Sequence, residues 1–554
     1  MRTQVASAAA LTSPRATTVR RLAASIAVPA VLYAFGLGIS LWVAGQVAYP
    51  ASEGSAYYAA VAANLVDGRG LVIDAVWSYA TPPLVLPRPA FELWQPLASL
   101  VAAMPMPVLG TSFDAAQLGG ALAAALLAPL VWLVAREGAA TAGVHDGAHV
   151  QVLAIGAAVL VMVSGPLLTA TALPDSTIPF TVAGVAAALA LSRALAVGDA
   201  RIARAAVVVG GALGVAWLAR HEAIWFGLAA LLLAGIAHRL TRRFVVGVGV
   251  AGGLVVAPWL LRNWLTFGTP LPGQTIDNVL LTANEQIYAY ASRPTLTAFL
   301  DQGLDGILAN IASGTAHNVF LVLAVPAAPA VVAGVAGAGW LMRRPGMPLT
   351  ALGALLLAGG LTLVVASVVF PVASLWGTFQ HAAGPLLVGL AVTAVLGLDA
   401  VVRAVGRRRG WQRRNAWLAP LALVALTLPL SALQLVGLSA EADEQAQRTT
   451  ALAAVVMRQP ELSDPAEAVV ISDHPVWLAQ ATGSSALALP AESIDSVLAL
   501  AARFNARLIV LDDQRGEFPG LLRGAAGRGC FVERPDPALP SGAALFAIKM
   551  ECMP

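Results

Sequence analysis

The stretch Arg239-Leu240-Thr241-Arg242-Arg243, then FVVGVGVAGGLVVAPWLL (residues 244–261), then Arg262-Asn263-Trp264, decides the fold class. Eighteen residues without a charge lie between a basic cluster and an Arg-Asn-Trp end. An apolar run of roughly this length crosses a bilayer as a helix, because backbone groups in hydrocarbon must be satisfied within the segment. The rest of the chain repeats the pattern. Of its 554 residues 58% are apolar and only 11% charged, with a mean hydropathy of +0.76. A water-soluble chain is nearer about 45–50% apolar and about a quarter charged. Disorder, collagen-like repeats and a soluble nucleic-acid binder are thereby excluded.

Ten further runs of this kind give eleven expected spans: 22–46, 115–135, 150–170, 178–198, 204–219, 223–238, 244–261, 318–342, 348–370, 382–402 and 416–438. Arginine placement orients them. The segments taken as inside carry 19 arginines, among them Arg136, Arg193, Arg239, Arg343 and Arg403, against five outside before the tail: Arg69, Arg88, Arg220, Arg262 and Arg293. Acids run the other way, 11 outside and four inside. The alternation predicts an odd number of spans, a cytoplasmic N-terminal tail (1–21) and an extracytoplasmic C-terminus. The first apolar run is too long for a typical signal peptide, so it is read as a retained span. The Arg408–Arg414 cluster reads as a topology anchor, with anionic lipid as its other use. The net charge of +3 comes from 32 Arg and one Lys, Lys549, a bias of genome composition.

A membrane domain over 22–438 thus leaves three segments outside. The first, 47–114, mixes aromatic residues with proline and single charges, as interfacial helices do. The second is 262–317. The third, 439–554, holds 15 of the 30 acids and no spanning run. It reads as a small soluble α/β domain: strand 468–471, helix 493–504, strand 507–511, then strands near 530–533 and 544–550. Asp512-Asp513 at a strand end is either a ligand site or a solvated turn. Cys530 and Cys552 form a disulfide or remain two buried thiols; two cysteines exclude a multi-cysteine metal site.

Charges near membrane depth are costly and point to function. They gather on the outer side: Glu53 with Tyr57 and Tyr58 after span one, and Asp175 between spans three and four. Arg220, His221 and Glu222 lie between spans five and six, Arg262 and Asn263 follow span seven, and His381 falls between spans nine and ten. Each also has a plainer use as a helix end, a local ion pair or an interfacial anchor. Carboxylates so placed deprotonate a hydroxyl or hold a divalent cation, and guanidinium forks suit phosphate.

The ordered ensemble of Glu53 and Tyr57-Tyr58, Asn64–Leu71, Trp94-Gln95-Pro96, Asp175-Ser176, Arg220-His221-Glu222, Pro258–Trp264 and Phe267-Gly268-Thr269-Pro270 resembles the bacterial GT-C membrane glycosyltransferases over about 20–440. The resemblance implies transfer of a sugar, hexose or pentose, from a polyprenyl- or dolichyl-phosphate donor to a lipid, glycan or protein acceptor, usually with inversion. The reaction would lie at the outer face of the bacterial cytoplasmic membrane. It implies Glu53, helped by Asp175, as base, although the family usually has Asp there, at a shifted spacing. Arg220 and Arg262 would stabilise the departing phosphate, and Tyr57, Tyr58 and Trp94 would wall the sugar site, with Glu222, Asn263 and His381 as further binding residues. It leaves a divalent cation, magnesium or manganese, undecided. On this reading Glu53→Gln abolishes transfer. The competing readings are a transporter or flippase of an anionic or lipid-linked solute, and a non-catalytic homologue.

Overall fold

A computed structural model describes residues 14–273, 276–411, 415–512, 522 and 529–554, with side chains from residue 26 onward. The chain is a polytopic helical membrane protein carrying a small sheet domain. Its membrane-region helices are α1 (Pro14–Ala44), α3 (Phe113–Ala124), α4 (Leu127–Thr141), α5 (Gly147–Met162) and α6 (Gly165–Ala170). They continue with α7 (Thr177–Ala196), α8 (Ile202–Ala219), α9 (Ala223–Ile236) and α10 (Arg242–Phe267). The last are α11 (Gly303–Ala316), α12 (Ala328–Leu341), α13 (Ala351–Val368), α14 (Gly384–Arg408) and α15 (Leu418–Val456). Between α1 and α3 lies the short α2 (Glu53–Val66).

Among the described residues nine helical segments are long and apolar enough to cross a membrane. Eight coincide with expected spans. The runs 150–170, 223–238 and 318–342 instead fall on shorter helices. The first breaks before Pro166, the last around Pro326, since proline removes a helix donor and clashes with the preceding turn. The freed carbonyl of Pro326 is satisfied by Gln434 Nε2 at 2.8 Å. The ninth segment, Gly303–Ala324, lies largely inside what the sequence presents as an outer loop. Asn310, Ser313, His317 and Asn318 interrupt its apolar run, which hides it from hydropathy. Asn318, fully buried, donates through its amide nitrogen to the Ser367 and Ser374 side chains.

Close helix contacts depend on missing side chains. Gly334 and Gly337 of α12 face α14, and a Cβ on either would sit 2.3 and 2.2 Å from the carbonyls of Leu390 and Thr393. Thr393 returns a hydrogen bond to the Gly334 carbonyl at 2.9 Å. Small residues let two backbones approach this closely, the usual basis of packing in lipid.

Above one end of the bundle the segments read from the sequence as outer form a single layered body. The small strands β1 (Val72–Ile73) and β3 (Arg88–Pro89) pair antiparallel. Between them β2 (Ala75–Val76) joins a six-stranded sheet with β4 (Val469–Ser472), β5 (Ser485–Ala488), β6 (Leu508–Leu511), β7 (Phe531–Glu533) and β8 (Ala544–Ile548). The order is β2-β5-β4-β6-β8-β7, so the first loop supplies an edge strand to the C-terminal sheet. Helices α16 (Pro475–Thr482) and α17 (Ile494–Phe504) complete the layer. The core of this body mixes Val76, Tyr79, Ile287 and Tyr288 with Ile471, Leu487, Ile509 and Phe546, drawing on all three segments. Residue 439, where composition changes, lies inside α15. At about 1.5 Å per residue this 39-residue helix runs about 58 Å from bundle to sheet. Arg448 on α15 pins the sheet by bonding Asp512 at 2.8 Å. Asp512 is therefore a paired structural group rather than an open ligand, and Asp513 lies outside the described residues. Cys530 and Cys552 are joined in a disulfide.

Candidate functional site

A cavity of about 720 Å³ opens where the bundle meets the layered body. Its walls come from α6 and the turn after it, the loop 284–288, the segment 375–381, the start of α14, and one face of α15. Leu167, Leu321, Val322, Leu387 and Leu438 give it apolar lining, and Asp175, Glu285, His381 and Glu441 give it ionisable lining. That combination suits a molecule with an apolar tail and a polar head.

Asp175 is buried at the entry to α7. One carboxylate oxygen accepts the Thr177 N–H at 2.7 Å, an anion held at a helix N-terminus. The other lies 3.4 Å from His381 Nδ1, which also meets the Thr177 hydroxyl at 2.9 Å. Two residues placed 206 apart in sequence thus share one wall. Behind them stands Arg220. It forks onto Glu222 at 2.7 and 3.2 Å and donates to Ser176 Oγ at 2.9 Å and to the Thr378 carbonyl at 3.0 Å. Three connections, 171–176, 220–222 and 375–383, are tied by this one guanidinium. Burial raises the Glu222 carboxyl, but the Arg220 charge and its hydrogen bonds outweigh this and hold it below the usual carboxylate range.

Neighbouring His221 meets Gln95 at 2.7 Å and packs edge-on against Trp217, ring centroids 5.0 Å apart. Burial lowers its pKa to about 4. The folded state therefore favours neutral imidazole. Its contribution, up to about 3 kcal/mol, is complete above the unfolded value of about 6.5 and lost as pH falls toward about 4. Thermal unfolding in micelles between pH 7 and 4 is expected to show a steeper loss for the wild type than for His221→Gln. Parallel curves would contradict this.

Glu53 has a different surrounding from the one expected of a base. One oxygen accepts the Val476 N–H of α16 at 3.0 Å, and the other accepts Trp77 Nε1 at 3.3 Å with His474 Nδ1 at 3.6 Å. The N-termini of α2 and α16 converge on this carboxylate, a favourable place for an anion. Only its neighbours Ala51 and Ser52 reach the cavity wall. Glu53→Ala strands a buried N–H and is expected to cost about 1–3 kcal/mol and speed proteolysis between the first loop and the sheet domain. Glu53→Gln keeps an acceptor and is expected to lose less. Equal protease resistance for the alanine variant and the wild type would refute the joint.

The remaining expected site residues also lie off the cavity wall. Tyr57 is buried, accepts the Phe91 N–H at 2.7 Å and packs on Trp94 at 4.4 Å, and Trp94 packs on Trp77 at 4.9 Å. Burial pushes the phenols of Tyr57 and Tyr58 upward, so both stay protonated. Arg262 stacks over Trp259 and Phe267 at 4.9 and 5.2 Å and donates to Asn263 at 3.2 Å. Asn263 is buried and donates to the Pro270 carbonyl at 3.3 Å. Of the residues singled out from the sequence, Asp175 and His381 line the cavity; Glu53, Tyr57, Tyr58, Trp94, Arg220, Glu222, Arg262 and Asn263 do not. Sequence reasoning missed Asn284, Glu285, Tyr288, Trp376, Gln434 and Glu441. Gln434, an amide within the last span, carried a readable signal. Among the described residues no three His, Cys, Asp or Glu side chains cluster as a metal site, and Asp175 with His381 alone does not make one.

A helical bundle of this order, carrying a layered body at one end, is a fold met among solved membrane proteins. Among solved structures the chain is similar to the apo oligosaccharyltransferase of Archaeoglobus fulgidus, with a TM-score of 0.54 at 14% identity, over 94% of this chain and 75% of that one. It also aligns with ArnT from Cupriavidus metallidurans. The apo form gives a TM-score of 0.48 at 14% identity over 95% of this chain and 98% of that one. The form bound to undecaprenyl phosphate gives 0.48 at 13%, over 94% and 97%. No protein-family model matches the chain, and no curated protein sequence does. At these identities the likeness is one of fold.

Proposed function

We propose that this multi-pass membrane protein is an inverting glycosyltransferase acting at the outer face of the bacterial cytoplasmic membrane. It moves a hexose or pentose from a polyprenyl-phosphate-linked donor to a hydroxyl on a lipid, glycan or protein. The observation that carries the reading is one cavity lined both by apolar side chains such as Leu387 of α14 and Leu438 of α15 and by the Asp175–His381 pair. The arginine alternation along the chain supports the outer placement.

Asp175 takes the role of base that the sequence offered first to Glu53, whose oxygens are engaged elsewhere. The acceptor oxygen attacks the anomeric carbon, the bond to the lipid phosphate breaks, and the hydroxyl proton passes to Asp175. Thr177 holds the carboxylate in place, and His381, 3.4 Å away, stands where charge develops. Arg220 is a positioning residue, its donors spent on Glu222, Ser176 and Thr378. Arg262 lies off the cavity and takes no part in the step. No step runs through a metal ion.

A photoreactive analogue of undecaprenyl phosphate in proteoliposomes tests the location. Labelling is expected to concentrate in 166–177, 321–326, 375–387 and 434–441. Labelling spread over the lipid-facing surface of α10 instead would contradict the proposal.

A further inference from the structure

Glu492 lies outside the cavity, in the loop between β5 and α17. Its carboxylate accepts four hydrogen bonds from one short stretch of the segment between α10 and α11. Tyr290 N–H and Ala291 N–H reach one oxygen at 2.7 and 2.9 Å, and Ser292 N–H and its hydroxyl reach the other at 2.8 and 2.6 Å. Three successive N–H groups turned on one anion form a nest, and charge-assisted bonds of this kind are about twice as strong as neutral ones. Burial raises the Glu492 carboxyl, but the bonds from Ser292, Ala291 and Tyr290 outweigh it and hold it below the usual range.

The same stretch is held a second time. The Arg293 guanidinium donates to the carbonyls of Ala289 at 3.0 Å, Ser292 at 2.8 Å and Tyr79 of the first loop. The Tyr79 ring meets Tyr290 with centroids 5.4 Å apart, and its hydroxyl donates to the Ala488 carbonyl of β5. One residue separates this anchorage from Tyr288, whose ring meets Trp376 at 4.8 Å and Trp77 at 5.1 Å. Asn284, Glu285 and Tyr288 are one wall of the cavity.

We infer that Glu492 is a positioning residue: through the nest at 290–292 the C-terminal domain holds Asn284, Glu285 and Tyr288 in place and so sets the wall that an incoming sugar meets. The inference rests on the cavity being the transfer site. It also gives the soluble domain a direct part in substrate fit. Among its described residues the segment around the nest carries short 3₁₀ turns at Asp277–Leu280 and Asn284–Tyr288 and one short helix, Leu296–Asp301.

The test uses the full chain in nanodiscs as wild type, Glu492→Ala and Glu492→Gln. In the alanine variant, amide exchange at 284–292 is expected to rise about tenfold or more while β4 and β6 stay protected, the pattern of a local release. Transfer from a polyprenyl-phosphate sugar is expected to show KM raised about fivefold with kcat within about twofold, the mark of lost binding without lost chemistry. The glutamine variant, which keeps an acceptor, is expected to fall between the two. Unchanged exchange at 284–288 overturns the inference, as does faster exchange with unchanged KM. Should the wild type transfer no sugar, the reading of the cavity fails, and the exchange arm alone decides whether Glu492 holds the wall.

Discussion

Asp175→Asn is expected to cut sugar transfer by about 10²–10⁴-fold, the usual contribution of a positioned general base. The substitution is chosen because asparagine keeps an oxygen for the Thr177 N–H, 2.7 Å away in the wild type. Folding and the entry to α7 should therefore survive, and only the proton acceptor is lost. Initial rates with radiolabelled donor in proteoliposomes, set beside the melting temperature of the same preparation, provide the check. The companion Glu53→Gln should retain transfer within about tenfold, because that carboxylate binds Val476 and Trp77 rather than facing the cavity. If Glu53→Gln abolishes transfer and Asp175→Asn does not, the two assignments are reversed.

The second large effect is expected at Arg220. Its side chain is 11% exposed and that of Glu222 16%. Removing the guanidinium leaves a mostly buried carboxylate without its partner and unties three connections at once. Breaking such a pair costs about 3–5 kcal/mol, so Arg220→Ala should yield little folded protein. Arg220→Lys keeps the charge without the fork, and its loss should be smaller. Replacing both partners, Arg220→Met with Glu222→Gln, should recover much of the stability but little activity, since Ser176 and Thr378 would no longer be tied together. Thermal unfolding of the set in one detergent decides this. An alanine variant as stable as the wild type would remove Arg220 from the account.

Long apolar runs made most of the fold legible, because bilayer thickness and backbone satisfaction leave few alternatives. The tail was readable for a related reason: strands at 469–472 and 508–511 and the helix 494–504 have strong local patterns. What local pattern does not carry was lost. Strand β2 is two residues long and exists only because β5 lies beside it. Gly303–Ala324 is interrupted by polar residues, and one of them, Asn318, meets its partners Ser367 and Ser374 only in the folded bundle. The site divided in the same way. Asp175 was legible as a carboxylate at membrane depth, and His381 as a lone imidazole beside a span. Glu53 satisfied the same rule, but its partner Val476 lies 423 residues away, beyond any local signal. Cost of burial flags a charged group; only tertiary contact shows whether a substrate or the protein itself satisfies it.

The most direct measurement is sugar transfer by the purified wild type in sealed proteoliposomes containing a radiolabelled polyprenyl-phosphate sugar, an acceptor extract and no ion gradient. Labelled acceptor with inverted anomeric configuration is expected, together with release of the polyprenyl phosphate. Vectorial movement of the labelled lipid or of a free solute, with no glycosidic product formed, would contradict it.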